Sequence, residues 1–370
     1  GNGEMGRTCR IEDGEKLISS DLRIELAPRY VRRDDGGVRP FQADFLRTIS
    51  GKGSRAVVLD APVGAGKTYI VRQLLRDRAY ERRPVVLTYP TKILMEAQVA
   101  SLRNELGADS VRIWPWQKMK SGCINLFVYS TDSLLYFAKA QGWDRIQNRS
   151  DLLAKLFHDL GWHGKQGAVI PSPDVLHLLR LGAYRGSRRV LNYLQNSLFV
   201  FDEFHCYYGL ANFPRLLEYI LSKLNGVAAM LSATPVATEA LCDVLAQVSP
   251  RVIDFGASEG TATDTCFNYP LTLEVHSFNI ARRDEVALRL QSVLPQMPRP
   301  CAVIFDSVFR LRHVERQIRS SLPSGTRLIE WSGMFKEREH QLGDDTIVLG
   351  TSAIEVGIDP ISASASLRDF

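Results

Sequence analysis

A glycine-rich segment at residues 61–68 constrains the fold of this chain more than any other feature. Its sequence is Ala-Pro-Val-Gly-Ala-Gly-Lys-Thr, and it lies between an apolar run at 56–59 and a helix-like stretch at 69–78. A strand, a loop and a helix in this order form the context that a phosphate-binding loop requires. An ordinary glycine-rich turn is the alternative, but a chance match of this length in this context is rare.

The residues of this loop would have distinct tasks in such a site. Gly64 and Gly66 would let the backbone around Ala65 curl with its N–H groups inward. Lys67 would reach the β- and γ-phosphates, and the Thr68 hydroxyl would ligate Mg²⁺. The positive end of the following helix would add to the anion site. We therefore expect the chain to bind a nucleoside triphosphate, with Mg²⁺.

Two adjacent carboxylates follow a second apolar run, at residues 197–201. A buried strand that delivers two carboxylates at its end suits metal-assisted hydrolysis. Asp202 would hold Mg²⁺, Glu203 would orient and deprotonate the attacking water, and His205 would hydrogen-bond to the next motif. The alternative is an acidic pair at a helix N-terminus. The presence of Lys67 upstream favours the hydrolytic interpretation.

Further segments occur in the order typical of superfamily 2 helicases, which the chain resembles along nearly its whole length. The A-P-x-G-x-G-K-T loop has the form usual in that superfamily. The other similar segments are Pro40-Phe41-Gln42, Pro90-Thr91-Lys92, Ser130-Thr131-Asp132, Leu231–Pro235, Phe305-Asp306-Ser307 and Thr351–Asp359. The resemblance implies that ATP is the nucleotide, that Gln42 contacts the adenine edge and that Asp359 belongs to the nucleotide site.

The resemblance also implies nucleic-acid contacts from Thr91, Thr131 and Thr351. Hydroxyl groups at strand ends suit phosphate contacts that position a strand without selecting its sequence. Each could instead cap a helix, and about half are expected to do both. A basic cluster is a further candidate, although a solvated helix face explains it equally well. Its members are Arg180, Arg185, Arg188 and Arg189. Ser232 or Thr234 would link the two sides by a bond to His205.

Three segments also resemble the CRISPR-associated helicases of type I interference systems. They are D-E-F-H-C-Y-Y at 202–208, S-T-D-S-L-L at 130–135 and I-E-V-G-I-D at 354–359. The resemblance implies recruitment by an RNA-guided surveillance complex and translocation on single-stranded or partly duplex DNA. Many members carry an N-terminal His-Asp nuclease, but the roughly forty residues before Gln42 contain no His. His158-Asp159 is more simply a surface pair than half a metal site. A separate nuclease subunit, as in type I-D, is therefore expected.

Two other function classes remain open. The chain could be an RNA helicase or a DNA-repair helicase of the same superfamily. It could also be a non-catalytic nucleic-acid-binding module, because no Q-x-x-G-R-x-x-R motif follows Asp359 and only Arg368 occurs there. Such a motif supplies arginines to the γ-phosphate, and arginine fingers strongly accelerate phosphoryl transfer. We therefore expect the sequence to be a piece of a longer polypeptide.

Alternating apolar runs and helical stretches predict an α/β fold with parallel sheets. The resemblance to superfamily 2 helicases implies two tandem RecA-like parallel-sheet domains, the second incomplete. The predicted domains are 1–254, with a helical insertion near 133–196, and 255–370, with a connection near 249–272. The predicted strands are 56–60, 85–89, 124–129, 197–202, 227–232, 301–306, 326–331 and 346–350. Within the insertion, the predicted helices are 134–141, 151–160, 174–181 and 188–196.

Composition agrees with this interpretation without deciding it. A net charge of +5 and a pI near 8.9 permit a polyanionic partner. The 6 cysteines are scattered without a C-x-x-C pair, which argues against a zinc site or a disulfide framework. No apolar run is long enough to cross a bilayer, and no signal-peptide core is present. These features predict a cytoplasmic protein without a membrane partner.

Overall fold

Strands and helices alternate through most of the chain that the structure, a computed structural model, describes. The described residues are 22–32, 37–51, 53–62, 64–76, 83–142, 167–173, 175–176, 194–209, 213–233, 235, 238–268, 271–275, 283–331, 343 and 345–351. The strands in this part of the chain are β1 (Leu22–Leu26), β2 (Arg29–Val31), β3 (Ala56–Asp60), β4 (Val85–Thr88), β5 (Val111–Trp114), β6 (Ile124–Tyr129), β7 (Gly167–Pro171), β8 (Leu198–Phe201), β9 (Val227–Ser232), β10 (Arg251–Asp254), β11 (Thr265–Asn268), β12 (Leu271–Val275), β13 (Cys301–Ile304), β14 (Arg327–Trp331) and β15 (Thr346–Gly350). The α-helices are α1 (Pro40–Ser50), α2 (Lys67–Arg76), α3 (Lys92–Leu106), α4 (Thr131–Ala140), α5 (Phe213–Ser222), α6 (Glu239–Ala246), α7 (Arg283–Val293) and α8 (Val308–Ile318).

Eight of these strands form one parallel sheet in the order β10-β3-β9-β8-β4-β7-β6-β5. The register places Asp60 opposite Ser232 and Thr88 opposite Phe201. The strand before the glycine-rich loop therefore ends at the same edge as the strand before the acidic pair. Ligands bind at this carboxyl edge in open α/β sheets. The predicted parallel α/β architecture is confirmed.

The central strands form because their residues are apolar and packed on both faces. In β3, Val57 and Leu59 point into one core while Ala56 and Val58 point into the other. Helices α1, α2 and α3 cover the first face, and helices α4, α5 and α6 cover the second. Near-continuous apolar strands are typical of parallel sheets buried between two helical layers.

The predicted helical insertion at 133–196 is wrong in part, because β7 lies within it. This strand pairs along its length with β6 and once with β4, so it completes the sheet instead of interrupting it. The predicted helix at 134–141 is confirmed as α4. The predicted helix at 151–160 and most of the other two lie outside the described residues.

The segment predicted as the interdomain connection contains regular structure. Its first strand, β10, joins the edge of the large sheet beside β3. The next two, β11 and β12, pair antiparallel with β2 and β1 from the start of the described chain. Residues 265–268 and 271–275 are thus hydrogen-bonded to residues 29–31 and 22–26, respectively.

A smaller parallel sheet contains the three remaining strands in the order β13-β15-β14. Its core includes residues of β15, α7 and α8, such as Leu349, Ala287 and Val314. The strands predicted at 301–306, 326–331 and 346–350 are confirmed. The boundary between the two domains stays a prediction. No helix in the described part of the chain is long and apolar enough to cross a membrane.

Candidate nucleotide and nucleic-acid site

The loop between β3 and α2 has the backbone geometry of a phosphate cradle. Gly64 and Gly66 have φ angles of 79° and 101°, a region that L side chains rarely adopt. A Cβ atom at Gly66 would also lie 2.7 Å from Gln42 Nε2 and 2.8 Å from Arg39 Nη1. The positive φ therefore favours glycine at this position, and a Cβ would also displace these two side-chain ends.

Two residues next to the start of α1 brace the loop. Gln42 donates from Nε2 to the Gly66 carbonyl oxygen at 2.9 Å and accepts the Arg39 N–H at Oε1, also at 2.9 Å. Arg39 donates from Nη1 to the Ala65 carbonyl oxygen at 2.6 Å. Gln42 is only 2% exposed. Its predicted contact with adenine stays a prediction. The contact of Arg39 with the loop was not predicted, because only the fold brings residue 39 to residue 65.

Lys67, the first residue of α2, turns its ammonium group into the site. Nζ donates to the Ala61 carbonyl oxygen at 2.9 Å and to that of Pro62 at 3.4 Å, and it lies 3.7 Å from Glu203 Oε1. The residue is 9% exposed, so its charge is held in a partly desolvated position. An ammonium group at a helix N-terminus, above inward-facing amides, attracts phosphate oxygens. Thr68 follows it within the first turn of α2.

The acidic pair lies in a tight turn directly after β8. Asp202 donates its backbone N–H to the Thr88 carbonyl oxygen at 3.1 Å, and its Oδ1 accepts the Glu203 N–H at 3.1 Å. Glu203 has a φ angle of 46°, which is unusual for a residue with a Cβ. Such strain persists where the surrounding structure enforces it, and it concentrates at functional sites.

His205 joins the acidic pair to the end of β9. It lies in the 3-10 helix Phe204–Gly209, with Nδ1 2.8 Å from Ser232 Oγ and 3.5 Å from Glu203 Oε2. Of the two residues predicted to bond His205, Ser232 does so, and Thr234 lies outside the described residues. The side chains of Lys67, Glu203, His205 and Ser232 thus form one continuous row of contacts. We call this row the contact chain.

The electrostatics of the acidic pair suit a divalent cation. Burial, with a further contribution from the Glu203 carboxylate, raises the pKa of Asp202 from 3.8 to about 7. Lys67 and the Glu203 N–H oppose this rise without cancelling it. A cation beside the two carboxylates would favour the ionised form. The described residues contain no group of three or more His, Cys, Asp or Glu side chains able to hold a metal ion by themselves. The Asp202 carboxylate suits Mg²⁺, which is commonly bound through few protein oxygens together with phosphates, and Thr68 as a second ligand stays a prediction.

Two of the three predicted nucleic-acid residues, Thr91 and Thr131, lie at helix starts along the same sheet edge. Thr91 is the N-cap of α3, and its Oγ1 accepts the Leu94 N–H at 3.2 Å. Ser130 is the N-cap of α4, so the predicted Thr131 is the first residue of that helix. The capping interpretation is thus confirmed for Thr91, and it applies to the neighbour of Thr131. These contacts leave the nucleic-acid role of both threonines a prediction.

An ion pair between Lys92 and Asp132 links the starts of α3 and α4. In the smaller sheet, Thr351 follows β15 and donates its N–H to the Trp331 carbonyl oxygen at 3.3 Å. Other predicted residues lie outside the described part of the chain: Asp359, Arg180, Arg185, Arg188, Arg189 and His158-Asp159.

A phosphate-binding loop after β3 and a paired-carboxylate turn after β8, with only β9 between these two strands of one parallel sheet, define a RecA-like nucleotide-binding domain. Residues 35–237 match the family described as type III restriction enzyme, res subunit (ResIII). This match spans more than half of the sequence, and the chain belongs to this family. The chain matches no curated protein.

Solved structures with a similar fold are superfamily 2 helicases. The DUF1998 helicase MrfA bound to DNA superposes with a TM-score of 0.59 at 17% identity, over 92% of this chain and 48% of MrfA. The S. cerevisiae protein Dbp5 bound to RNA and ADP BeF3 superposes with a TM-score of 0.50 at 15% identity, over 87% of this chain and 72% of Dbp5. The chain thus spans about half the length of MrfA. At these identities the likeness establishes the fold.

Proposed function

We propose that this chain hydrolyses ATP with Mg²⁺ and couples the hydrolysis to movement along a nucleic-acid strand. The contact chain from Lys67 to Ser232 carries the proposal. It joins the group best placed for phosphate to the end of β9 through two side chains, Glu203 and His205, with each contact at 3.7 Å or less. A change in charge or position at the phosphates can therefore reach β9 by direct contact.

Each residue of the site has a task that follows from its position. Lys67 binds the β- and γ-phosphates, while the loop amides between Gly64 and Thr68 surround them. Thr68 and Asp202 hold Mg²⁺, which when bound offsets the negative charge of the phosphates. Glu203 orients the attacking water and accepts its proton, because its carboxylate lies beside Lys67 and its backbone is fixed.

Coupling to nucleic acid follows from the same sheet edge. Ser232 ends β9, and the starts of α3 and α4, with Thr91 and Thr131, follow β4 and β6 at that edge. Phosphates of a single strand would bind these helix starts, because the N–H groups of a helix N-terminus favour anions. From the C-terminal part of the chain, Thr351 would add a further contact to the strand, and Asp359 would contribute to the nucleotide site.

The finer assignment that we propose is to the CRISPR-associated helicases of type I interference. It is supported by the segments at 202–208, 130–135 and 354–359. In this proposal the partners are DNA, an RNA-guided surveillance complex and a separate nuclease subunit. An RNA helicase or a DNA-repair helicase of the same superfamily is the second candidate, and the DNA in MrfA and the RNA in Dbp5 illustrate both possibilities.

ATP turnover of the full chain with and without single-stranded DNA tests the main proposal. We expect turnover that DNA stimulates in the wild type and that Lys67→Ala abolishes. The matched control is Lys223→Ala, an exposed lysine after α5, which should behave as the wild type. Turnover that persists in Lys67→Ala would show that the loop is not the site of hydrolysis.

Unwinding of tailed duplexes tests the finer assignment. A CRISPR-type helicase should unwind a DNA duplex with a single-stranded tail and leave an RNA duplex of the same sequence intact. Efficient unwinding of the RNA duplex would instead favour the RNA helicase. Recovery of the protein with an RNA-guided complex from cells is the complementary measurement.

A further inference from the structure

An aromatic pair lies at the outer edge of the large sheet, outside the nucleotide site. Trp116 follows β5, the last strand of the sheet, and Tyr136 lies on α4, after the neighbouring strand β6. Their ring centroids are 6.2 Å apart, with an angle of 37° between the planes. Tyr136 is 49% exposed and the adjacent Leu135 is 53% exposed. Tyr136 and Leu135 thus face water, and they adjoin Trp116, which is half-buried because it also packs against the core.

The side chain of Tyr136 does not contribute to the packing of α4 against the core. The inner face of the helix is formed by Leu134, Phe137 and Ala138, and the Phe137 ring centroid lies 5.1 Å from that of the core residue Trp114. Tyr136 lies on the opposite side. A large amphipathic ring outside the packed face is typical of a contact surface.

The loop that carries Trp116 is held by a buried amide. Asn125, which is 1% exposed, donates from Nδ2 to the carbonyl oxygens of Lys120 and Cys123 at 3.1 and 3.0 Å, and accepts the Lys120 N–H at 3.1 Å. Gln117 adds a second brace, because its side-chain oxygen accepts the Ile113 N–H at 3.0 Å. The backbone on both sides of Trp116 is therefore fixed. A ring on a fixed loop loses little conformational entropy on binding.

The charges around the pair favour a polyanion as the occupant. Lys118 and Lys120 on the loop are exposed, and Lys139 is exposed three residues after Tyr136, on the same face of α4. The acidic side chain at the start of α4, Asp132, is already paired with Lys92. Lysines beside exposed rings are the combination with which proteins bind single-stranded nucleic acid, through phosphate contacts and base stacking.

The aromatic pair also lies next to the helix starts of α3 and α4, which are proposed above to bind phosphates. We call these helix starts the phosphate track. Thr91 and Lys92 begin α3, the ion pair between Lys92 and Asp132 leads to the start of α4, and Tyr136 lies one turn further along that helix. We propose that Trp116 and Tyr136 form a base-stacking platform for single-stranded nucleic acid, at the outer end of this track. The inference rests on the proposed function for the track, but the rings contribute contacts to bases that the threonines do not.

Binding of fluorescent oligonucleotides to the full chain, in the presence of a non-hydrolysable ATP analogue, tests the platform. The variants are Tyr136→Ala and Trp116→Ala, with Trp116→Phe as the conservative replacement. Each alanine variant should weaken binding of single-stranded DNA roughly 5- to 150-fold, the range expected for loss of one stacked base, and Trp116→Phe should retain most of the affinity. An RNA oligonucleotide of the same sequence, measured in parallel, establishes which nucleic acid the platform prefers.

An abasic oligonucleotide of equal length separates stacking from phosphate binding. The wild type and Tyr136→Ala should bind it equally, because no base is present to stack. Phe309→Ala removes another exposed ring, 67% exposed on α8, and should not change binding of either oligonucleotide. Thermal unfolding of each variant identifies any loss of fold.

Four outcomes would overturn the platform, the last of them together with the proposed function. In the first, Tyr136→Ala binds normal DNA and RNA as tightly as the wild type does. In the second, Tyr136→Ala loses as much affinity for the abasic strand as it loses for the normal strand. A wild-type dimer that dissociates in Tyr136→Ala at unchanged nucleic-acid affinity would identify the pair as a contact between copies. Wild-type protein that binds no nucleic acid at all would instead overturn the proposed function and the platform together.

Discussion

The two halves of the large sheet use polar side chains differently. Around β3, β8 and β9, the functional groups contact one another in the contact chain from Lys67 to Ser232. Around β4 and β6, Thr91 and Ser130 instead bond to the first turns of their own helices. A change in the first half should therefore spread to its neighbours, whereas a change at either capping residue, Thr91 or Ser130, should stay local. Catalysis of ATP hydrolysis requires side chains that contact one another. A surface that only positions phosphates requires side chains bonded to their own helices.

The largest effect should come from Glu203→Gln. Loss of the positioned base should slow ATP turnover by roughly 10²- to 10⁴-fold while nucleotide binding persists. Steady-state turnover and binding of a fluorescent ATP analogue measure the two quantities. Glu218→Gln on α5, an exposed carboxylate, is the control. A Glu203→Gln protein with normal turnover would remove the chemical half of the comparison.

Asp202→Asn should separate stability from chemistry. The raised pKa of Asp202, about 7 against a usual 3.8, means that the folded protein prefers the protonated carboxyl. Its contribution to stability is fully present below about pH 4 and is lost as the pH rises through about 7. In metal-free buffer at pH 8, Asp202→Asn should therefore be more stable than the wild type by about 1–3 kcal/mol, yet lack Mg²⁺-dependent turnover.

Urea denaturation of both proteins between pH 4 and pH 8, with a chelator present, measures this difference. The advantage of Asp202→Asn should grow with pH. Equal stability of the two proteins across this range would mean that water or local rearrangement already neutralises the site.

Communication between neighbours can be measured with His205→Ala, Ser232→Ala and the double variant. Because the two side chains are 2.8 Å apart, their effects on DNA-stimulated turnover should be non-additive, with a coupling energy of about 1–2 kcal/mol. Thr91→Ala and Ser130→Ala, which lie on separate helices, form the control pair. Strictly additive effects in the first pair would contradict the contact chain.

Of these substitutions, Thr91→Ala should have the smallest effect. It should lower both the stability of the fold and the affinity for DNA. Loss of the bond from Oγ1 to the Leu94 N–H should lower the free energy of unfolding by about 1 kcal/mol. Thr91→Ser keeps the hydroxyl and should match the wild type in both urea denaturation and DNA binding. If Thr91→Ala weakens DNA binding without a change in stability, the hydroxyl is a ligand and not a cap.

The strands that the sequence predicted best are those whose local sequence is sufficient to identify them. The predicted bounds 56–60, 227–232 and 346–350 coincide with β3, β9 and β15, which are continuous apolar runs. The strand β7 was missed because three apolar residues between helix-like stretches have no periodicity of their own. The edge strand β10 exposes Arg251, Val252 and Asp254, and only pairing with β3 makes it a strand.

In the candidate site, too, some features follow from the local sequence and others depend on the fold. The chemical types of Lys67, Asp202 and Glu203 follow from motif order, and sequence could therefore propose their tasks. The brace from Arg39 to the loop depends on an approach between distant residues, and no local pattern indicates it. The left-handed backbone at Glu203 was equally beyond prediction, because a glutamate in sequence gives no sign of a positive φ.

The position of β3 in the sheet has a consequence for synthesis of the protein. This strand bonds on one side to β9, at Val227–Ser232, and on the other to β10, at Arg251–Asp254. Both partners leave the ribosome long after β3 itself, and closing such distant pairs is slow. A nascent chain that ends before residue 227 therefore presents the phosphate-binding loop on a strand with two open edges. We expect protease resistance of the loop to appear only in nascent chains long enough to expose β10, so that nucleotide binding is acquired late and all at once.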